Sequence, residues 1–172
     1  MHGFTLVELL LAASLAGVVL TAAWSWLWTV AASAHRSGEA AEVTSSLAFA
    51  RRQLLRDAHL AVGLAAPVAG ADCGAHALAL HLPGTPTAPE IVQYAVNASR
   101  QTLWRKTSSS YVAEGVTRFD VAYLDAEGDE VSPGSDGRLS AAAIALVRVV
   151  RVSVEIASGS TAGAATWTIG LP

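Results

Sequence analysis

Glu8 stands four residues after Phe4, and Gly3 directly precedes Phe4. Residues four apart lie on one helical face. If the chain were cut between Gly3 and Phe4, the new amine of Phe4 and the Glu8 carboxylate would form an adjacent pair of opposite charge. The chemistry on offer is ion pairing, conditional on such a cut. Glu8 is the one charge between Phe4 and Ala34. A carboxylate in an apolar segment of membrane length is costly, so it reads as functional by default.

The remaining reactive side chains make weaker patterns. His2, His35, His59, His76 and His81 are scattered, and none has metal-ligand spacing with Cys73 or with a second histidine. Cys73 is the sole cysteine, which excludes an intramolecular disulfide and reads as a small apolar residue. Asp125, Glu127, Asp129, Glu130 and Asp136 alternate with Gly128, Gly134 and Gly137. Their composition would suit calcium, but the spacing is not that of an EF-hand. A solvated turn is the expectation. No metal or other cofactor is assigned, with calcium at Asp125, Glu127 and Asp129 kept as the alternative.

Arg105, Lys106, Arg118, Arg138, Arg148 and Arg151 could form a basic patch for DNA. Arg148 and Arg151 are an odd number of residues apart and would face opposite sides of a strand. Scattered surface charge is the expectation. The net charge of -3 also argues against a strongly basic nucleic-acid binder. There is no Gly-rich phosphate loop and no Gly-x-Ser-x-Gly, so the chain reads as a non-enzyme.

These residues must be positioned by a few elements. From Leu9 to Ala34 there is no Asp, Glu, Lys, Arg or His. As a helix this run would measure ~39 Å against a hydrocarbon core of ~30 Å. It is too long for a secretory signal, and no Lys or Arg precedes it. Trp24, Trp26 and Trp28 near its outer end suit a membrane–water interface or packing against neighbouring helices. Beyond it, Val43, Leu47, Ala50, Leu54, Ala58 and Val62 recur at spacings of three and four, an amphipathic stripe. Arg51, Arg52 and Arg56 lie off that stripe. One helix is therefore expected from about Phe4 to Val62, with Gly63 and Pro67 as stop signals.

After Pro67 the period changes. Strands are expected at Ala77–Leu82, at Ile91–Val96 and Thr102–Lys106 as a hairpin across Asn97–Gln101, and at Val116–Leu124. Pro83–Pro89 reads as a connector and Ala126–Gly137 as an exposed loop. A long strand bent near Val149-Val150 is expected over Ala143–Ile156, then a last one over Ala165–Leu171. The expected fold class is α+β: one long N-terminal helix packed against an antiparallel β-sheet head. The expected parts are a leader at 1–3, a membrane or filament-core half of the helix at 4–34, its amphipathic half at 35–62, and the head at 63–172.

Gly3-Phe4-Thr5-Leu6-Val7-Glu8, followed by Leu9-Leu10-Leu11-Ala12, resembles the class III signal of type IV pilins and type II secretion pseudopilins. The resemblance implies cleavage between Gly3 and Phe4 by a prepilin peptidase and N-methylation of Phe4. A residue without a side chain, as at Gly3, permits close backbone approach in a peptidase site. The leader departs from the family in carrying His2 where Lys or Arg is usual. In the family reading Glu8 meets the Phe4 amine of a neighbouring subunit and sets axial register; in the plainer reading it stays solvated near the membrane surface.

A looser likeness covers most of the chain. Leu55-Arg56-Asp57, Ile91-Val92-Gln93-Tyr94, Leu103-Trp104-Arg105, Val116-Thr117-Arg118-Phe119 and Val147–Val152 occur in an order similar to J-type minor pseudopilins and W-type minor pilins. This implies a low-copy subunit at or near a filament tip. Its implied partners are the prepilin peptidase, other major and minor pilin-like subunits, an inner-membrane assembly platform and the lipid bilayer. It would cross the inner membrane once with its head outside, then join a pilus or pseudopilus. A membrane-anchored module whose head captures DNA, calcium or a secreted partner is the alternative.

Overall fold

The computed structural model describes residues 5–65, 72–85, 88–106 and 110–171. Its first element is the helix α1, Leu6–Leu60. Then follow β1 (Gly63–Leu64), β2 (Ala77–Thr85), β3 (Ala88–Asn97), β4 (Thr102–Arg105), β5 (Ser110–Ala113) and β6 (Val116–Leu124). The short helix α2 (Ala141–Leu146), β7 (Val149–Ser158) and β8 (Thr161–Gly170) complete the order. The class is α+β, a long N-terminal helix followed by antiparallel sheets. The chain divides into two compact units, Met1–Glu39 and Ala40–Pro172.

The first unit carries the N-terminal part of α1. Its hydroxyls satisfy themselves on the helix backbone: Ser14 Oγ donates to Leu11 O at 2.9 Å, Thr21 Oγ1 to Val18 O at 2.9 Å, and Ser25 Oγ to Ala22 O at 2.9 Å. Polar groups that bond within their own helix remain compatible with an apolar surround. The large side chains from Leu6 to Trp28 all stay exposed.

In the second unit, α1 contributes Val43, Ala50, Leu54 and Ala58 to the core, with Leu47 half-buried. The expected stripe is thus the packed face, and Arg51, Arg52 and Arg56 are exposed. Val62 departs from it. The helix ends at Leu60, Val62 N donates to His81 O at 2.8 Å, and the side chain faces solvent. Gly63, at φ 154°, redirects the chain into β1. Pro67, the other expected stop, lies outside the described residues.

The strands sort into two sheets, one in the order β1-β2-β3-β4-β5 and one in the order β6-β7-β8, with antiparallel neighbours throughout. The β3–β4 hairpin forms where expected, closing on Asn97↔Thr102. Asn97 Oδ1 accepts from Ser99 N at 3.1 Å and Arg100 N at 3.3 Å, and Gln101 takes φ 50°. Side-chain capture of nearby amides by asparagine is what closes such turns. β6 has the expected bounds. In β7, Val150, Val152, Val154 and Ile156 point into the core, as alternation requires.

Two further expectations fail. The long strand over Ala143–Ile156 is divided: Ala141–Leu146 is helical, and the strand starts at Val149. Ser140 is the cause, since its hydroxyl accepts from Ala143 N at 3.2 Å and caps a run of alanines with high helix propensity. Pro83–Pro89 is not simply a connector. β2 continues to Thr85 and β3 resumes at Ala88, with a register irregularity between Leu82 and Thr85. Proline is tolerated at such irregular positions.

Close approach decides two glycines. A Cβ at Gly163 would lie 2.7 Å from Val43 Cγ1, so β8 packs directly on α1 there. A Cβ at Gly74 would lie 2.5 Å from Gly137 O.

Candidate functional site

The sequence-predicted site lies at the start of α1. Gly3 and Phe4 lie outside the described residues. Thr5 and Glu8 are described, and they form a reciprocal cap. Thr5 N donates to Glu8 Oε2 at 3.0 Å, Thr5 Oγ1 donates to the same oxygen at 3.0 Å, and Glu8 N approaches Thr5 Oγ1 at 3.4 Å. This is a capping box, which satisfies amides that a helix start leaves unpaired. The Thr-x-x-Glu spacing signals it in the sequence, and the reading of Glu8 as a lone charge passed over it. The carboxylate also sits where the positive end of the helix dipole favours it.

Behind the cap, an 18-residue window of α1 has mean hydropathy 2.2 and is 0% buried. By length and composition the helix can cross a membrane. Trp24, Trp26 and Trp28 are exposed, with the rings of Trp24 and Trp28 meeting edge-on at 6.4 Å. The segment ends in a polar pair, His35 Nε2 and Glu39 Oε1 at 3.3 Å.

The second unit contains a buried charged cluster that joins α1 to the larger sheet. Asp57, on α1, is 2% exposed. Tyr94 Oη on β3 donates to its Oδ2 at 2.5 Å. Arg105 on β4 donates from Nε to Oδ2 at 2.6 Å and from Nη2 to Oδ1 at 3.2 Å. Tyr94 and Arg105 are cross-strand partners, so the register aims both at one carboxylate. Burial, and then the Asp57 carboxylate, push the Tyr94 hydroxyl far above its ordinary value. Hydrogen bonding to Asp57 holds the Arg105 guanidinium charged more firmly still. Tyr94 and Arg105 both donate to the one buried carboxylate, so the cluster is a lock between helix and sheet. Its sequence signal was an aspartate on the packed face, between Leu54 and Ala58.

The other candidates do not converge. Cys73 is buried, with Sγ 3.3 Å from Ala79 O, and burial pushes its thiol up, away from the reactive thiolate. Tyr123 Oη donates to Ala77 O at 2.8 Å, pinning the segment around Cys73, and burial raises its hydroxyl well above the usual range. His76 Nδ1 lies 3.1 Å from Phe119 O and 3.3 Å from Asp120 Oδ1. Asp125 Oδ1 accepts from Glu127 N at 3.1 Å and Asp129 N at 2.8 Å, so that carboxylate caps its own turn. Among the described residues no three His, Cys, Asp or Glu side chains gather as metal ligands would.

The basic residues are dispersed as well. Arg105 is held by Asp57, Arg118 pairs with Asp120, and Arg138 Nη2 lies 3.2 Å from Asp72. Arg148 Nη1 donates to Ala145 O and Val147 O, both at 2.9 Å, at the end of α2. On the β3–β4 hairpin an open cavity of about 740 Å³ is lined by Gln93, Asn97, Trp104 and Lys106. The Trp104 indole is oriented by its Nε1–H bond to Thr102 Oγ1 at 2.7 Å.

No curated protein shows significant similarity to this chain. Residues 1–24 match the family described as the prokaryotic N-terminal methylation motif. That segment contains Gly3, Phe4 and Glu8 and runs into the exposed apolar part of α1. The motif and the helix behind it are together consistent with a membrane-anchored, type IV pilin-like protein.

Proposed function

We propose that the chain is a minor pilin or pseudopilin, a structural subunit that assembles into, or primes, a type IV pilus or type II secretion-like filament. The observation that carries this reading is the apolar helix of the first unit, exposed on every side and introduced by a methylation motif. Such a surface needs either lipid or other helices around it. A bilayer supplies the first before assembly, and neighbouring subunits supply the second afterwards.

In this reading a prepilin peptidase cuts between Gly3 and Phe4 and methylates the new amine. Glu8 then serves twice. Within one subunit it caps α1 through Thr5, and in the assembly it pairs with the Phe4 amine of a neighbour. Burying either charge alone in lipid costs several kcal/mol, on the order expected for unpaired ions, and pairing offsets much of that. The head packs on the later part of α1 and stays outside the membrane, at or near the filament tip. Mass spectrometry of the mature protein tests the reading: an N-methylated Phe4 at the N-terminus supports it, and an intact Met1 or an unmodified internal start overturns it.

A ligand-capturing head is the second reading, and the cavity beside Trp104 is what favours it. An oriented indole flanked by amides and an ammonium group has the mixed lining of a small-molecule site. Titration of the purified protein with saccharides, oligonucleotides and calcium, followed by tryptophan fluorescence, separates the two readings.

A further inference from the structure

Tyr94 and Arg105 are cross-strand partners that both reach Asp57, so their face of the larger sheet lies against α1. Alternation puts Gln93, Ala95 and Asn97 of β3, and Thr102 and Trp104 of β4, on the opposite face. Lys106 continues that series just past β4, where its backbone N–H donates to Gln93 O at 2.9 Å. Across the ladder Asn97 stands opposite Thr102, and Ala95 stands opposite Trp104. A single methyl therefore sits between two long amides and across from an indole. That step in side-chain length forms the floor of the open cavity of about 740 Å³ on this hairpin.

The Trp104 Nε1–H bond to Thr102 Oγ1, at 2.7 Å, lays the indole along its own strand. The ring's one N–H is thereby used inside the protein, and what remains for a ligand is a ring face. Tyr111 on β5 is the partner of Trp104 on its other side and is exposed, so it extends the aromatic surface. The rim adds the Gln93 and Asn97 amides, the Ser99 hydroxyl and the Lys106 ammonium group.

We propose that this cavity binds an acidic saccharide, a sugar chain that carries uronate groups. A pyranose ring has an apolar face of C–H groups, which packs on an indole, and a rim of hydroxyls, which amides and hydroxyls can meet as donors and acceptors. Ala95 leaves the room for the sugar to lie flat. Lys106 supplies the charge that a uronate carboxylate needs. A single-stranded nucleic acid would also stack on Trp104, but it calls for cations spaced along its backbone. Among the described residues that line the cavity Lys106 is the one cation, Arg105 is turned to Asp57, and the chain's net charge is -3. This inference rests on the ligand-capturing reading of the head and is independent of the pilin-like one.

The test is isothermal titration of the full chain in lipid nanodiscs with tetragalacturonate, with neutral maltotetraose and with oligothymidylate. Tetragalacturonate is expected to bind about tenfold more tightly than maltotetraose, and Lys106→Gln to erase that difference. Trp104→Ala is expected to weaken binding at least about tenfold, the usual worth of one stacked ring, and Trp104→Phe to keep most of it. Ala95→Leu fills the floor without removing a polar group, so it should abolish binding with an unchanged far-ultraviolet circular dichroism spectrum. No heat with tetragalacturonate, tighter binding of oligothymidylate, or saccharide binding that survives both Trp104→Ala and Ala95→Leu overturns the proposal. If oligothymidylate or calcium binds and the saccharides do not, the ligand-capturing reading stands and the saccharide inference falls; if nothing binds, both fall.

Discussion

Arg105 and Asp57 are 48 positions apart in sequence, yet the guanidinium meets the carboxylate through two hydrogen bonds, of 2.6 and 3.2 Å. Tyr94 supplies a third donor to the same group. The relationship ties the end of the spine helix to the middle of the larger sheet. Removing one member leaves a buried partner unsatisfied. Arg105→Ala is expected to cost about 3–5 kcal/mol of stability, the usual effect of orphaning a buried charge. The double change Asp57→Leu, Arg105→Met should recover much of that loss. Urea denaturation of the variants measures it, and an Arg105→Ala protein as stable as the parent would refute the lock.

Tyr94 and Tyr123 give the protein an alkaline limit. Both hydroxyls are raised in the folded state, chiefly by burial. Above about pH 10 the unfolded chain releases these protons and the folded chain keeps them. The unfolded state then binds fewer protons, so stability is full below that pH and falls as pH rises, by up to about 1.4 kcal/mol per pH unit for each tyrosine. In a Tyr111→Phe background, tyrosinate absorbance should appear together with loss of the folded circular dichroism signal. Ionisation well before unfolding would contradict the burial of these hydroxyls.

Gly163 sets how closely β8 approaches α1. Gly163→Ala places a methyl 2.7 Å from Val43 Cγ1 and is expected to destabilise by about 1–3 kcal/mol through overpacking. Combined with Val43→Ala, the loss should be smaller than the sum of the two single changes. Additivity in a double-mutant cycle would show that the contact is not shared.

The proposed assembly gives Glu8 two duties, capping α1 through Thr5 and pairing with a neighbour's Phe4 amine, and substitutions at Glu8 and at Thr5 separate them. Glu8→Gln keeps an acceptor for the Thr5 amide and removes the charge. Glu8→Ala removes both. Cleavage after Gly3 is expected in each, with filament incorporation impaired in each. Thr5→Val should weaken the helix start but still allow incorporation. Normal incorporation of Glu8→Gln, followed by immunoblotting of sheared filaments, would rule out charge pairing.

Local patterns were legible because they depend on near neighbours. The apolar run, the stripe from Val43 to Ala58, the β3–β4 turn at Asn97 and the bounds of β6 follow from periodicity and turn chemistry alone. The stretch Ala143–Leu146 was misread because alanine and isoleucine suit either strand or helix, and the deciding residue, Ser140, stands just before it. The Thr5–Glu8 cap is equally local, carried by the Thr-x-x-Glu spacing.

By itself, the sequence determined that this protein has a membrane-length apolar helix, an N-terminal methylation motif that runs into it and a β-rich head after it. Each is a property of contiguous residues. The meeting of Asp57 with Tyr94 and Arg105, the pressing of Gly163 against Val43 and the open edge of β8 were decided only when the chain folded. Those relationships join residues distant in sequence. They depend on strand register and on which strand lies at an edge, and neither is encoded in any short stretch of residues.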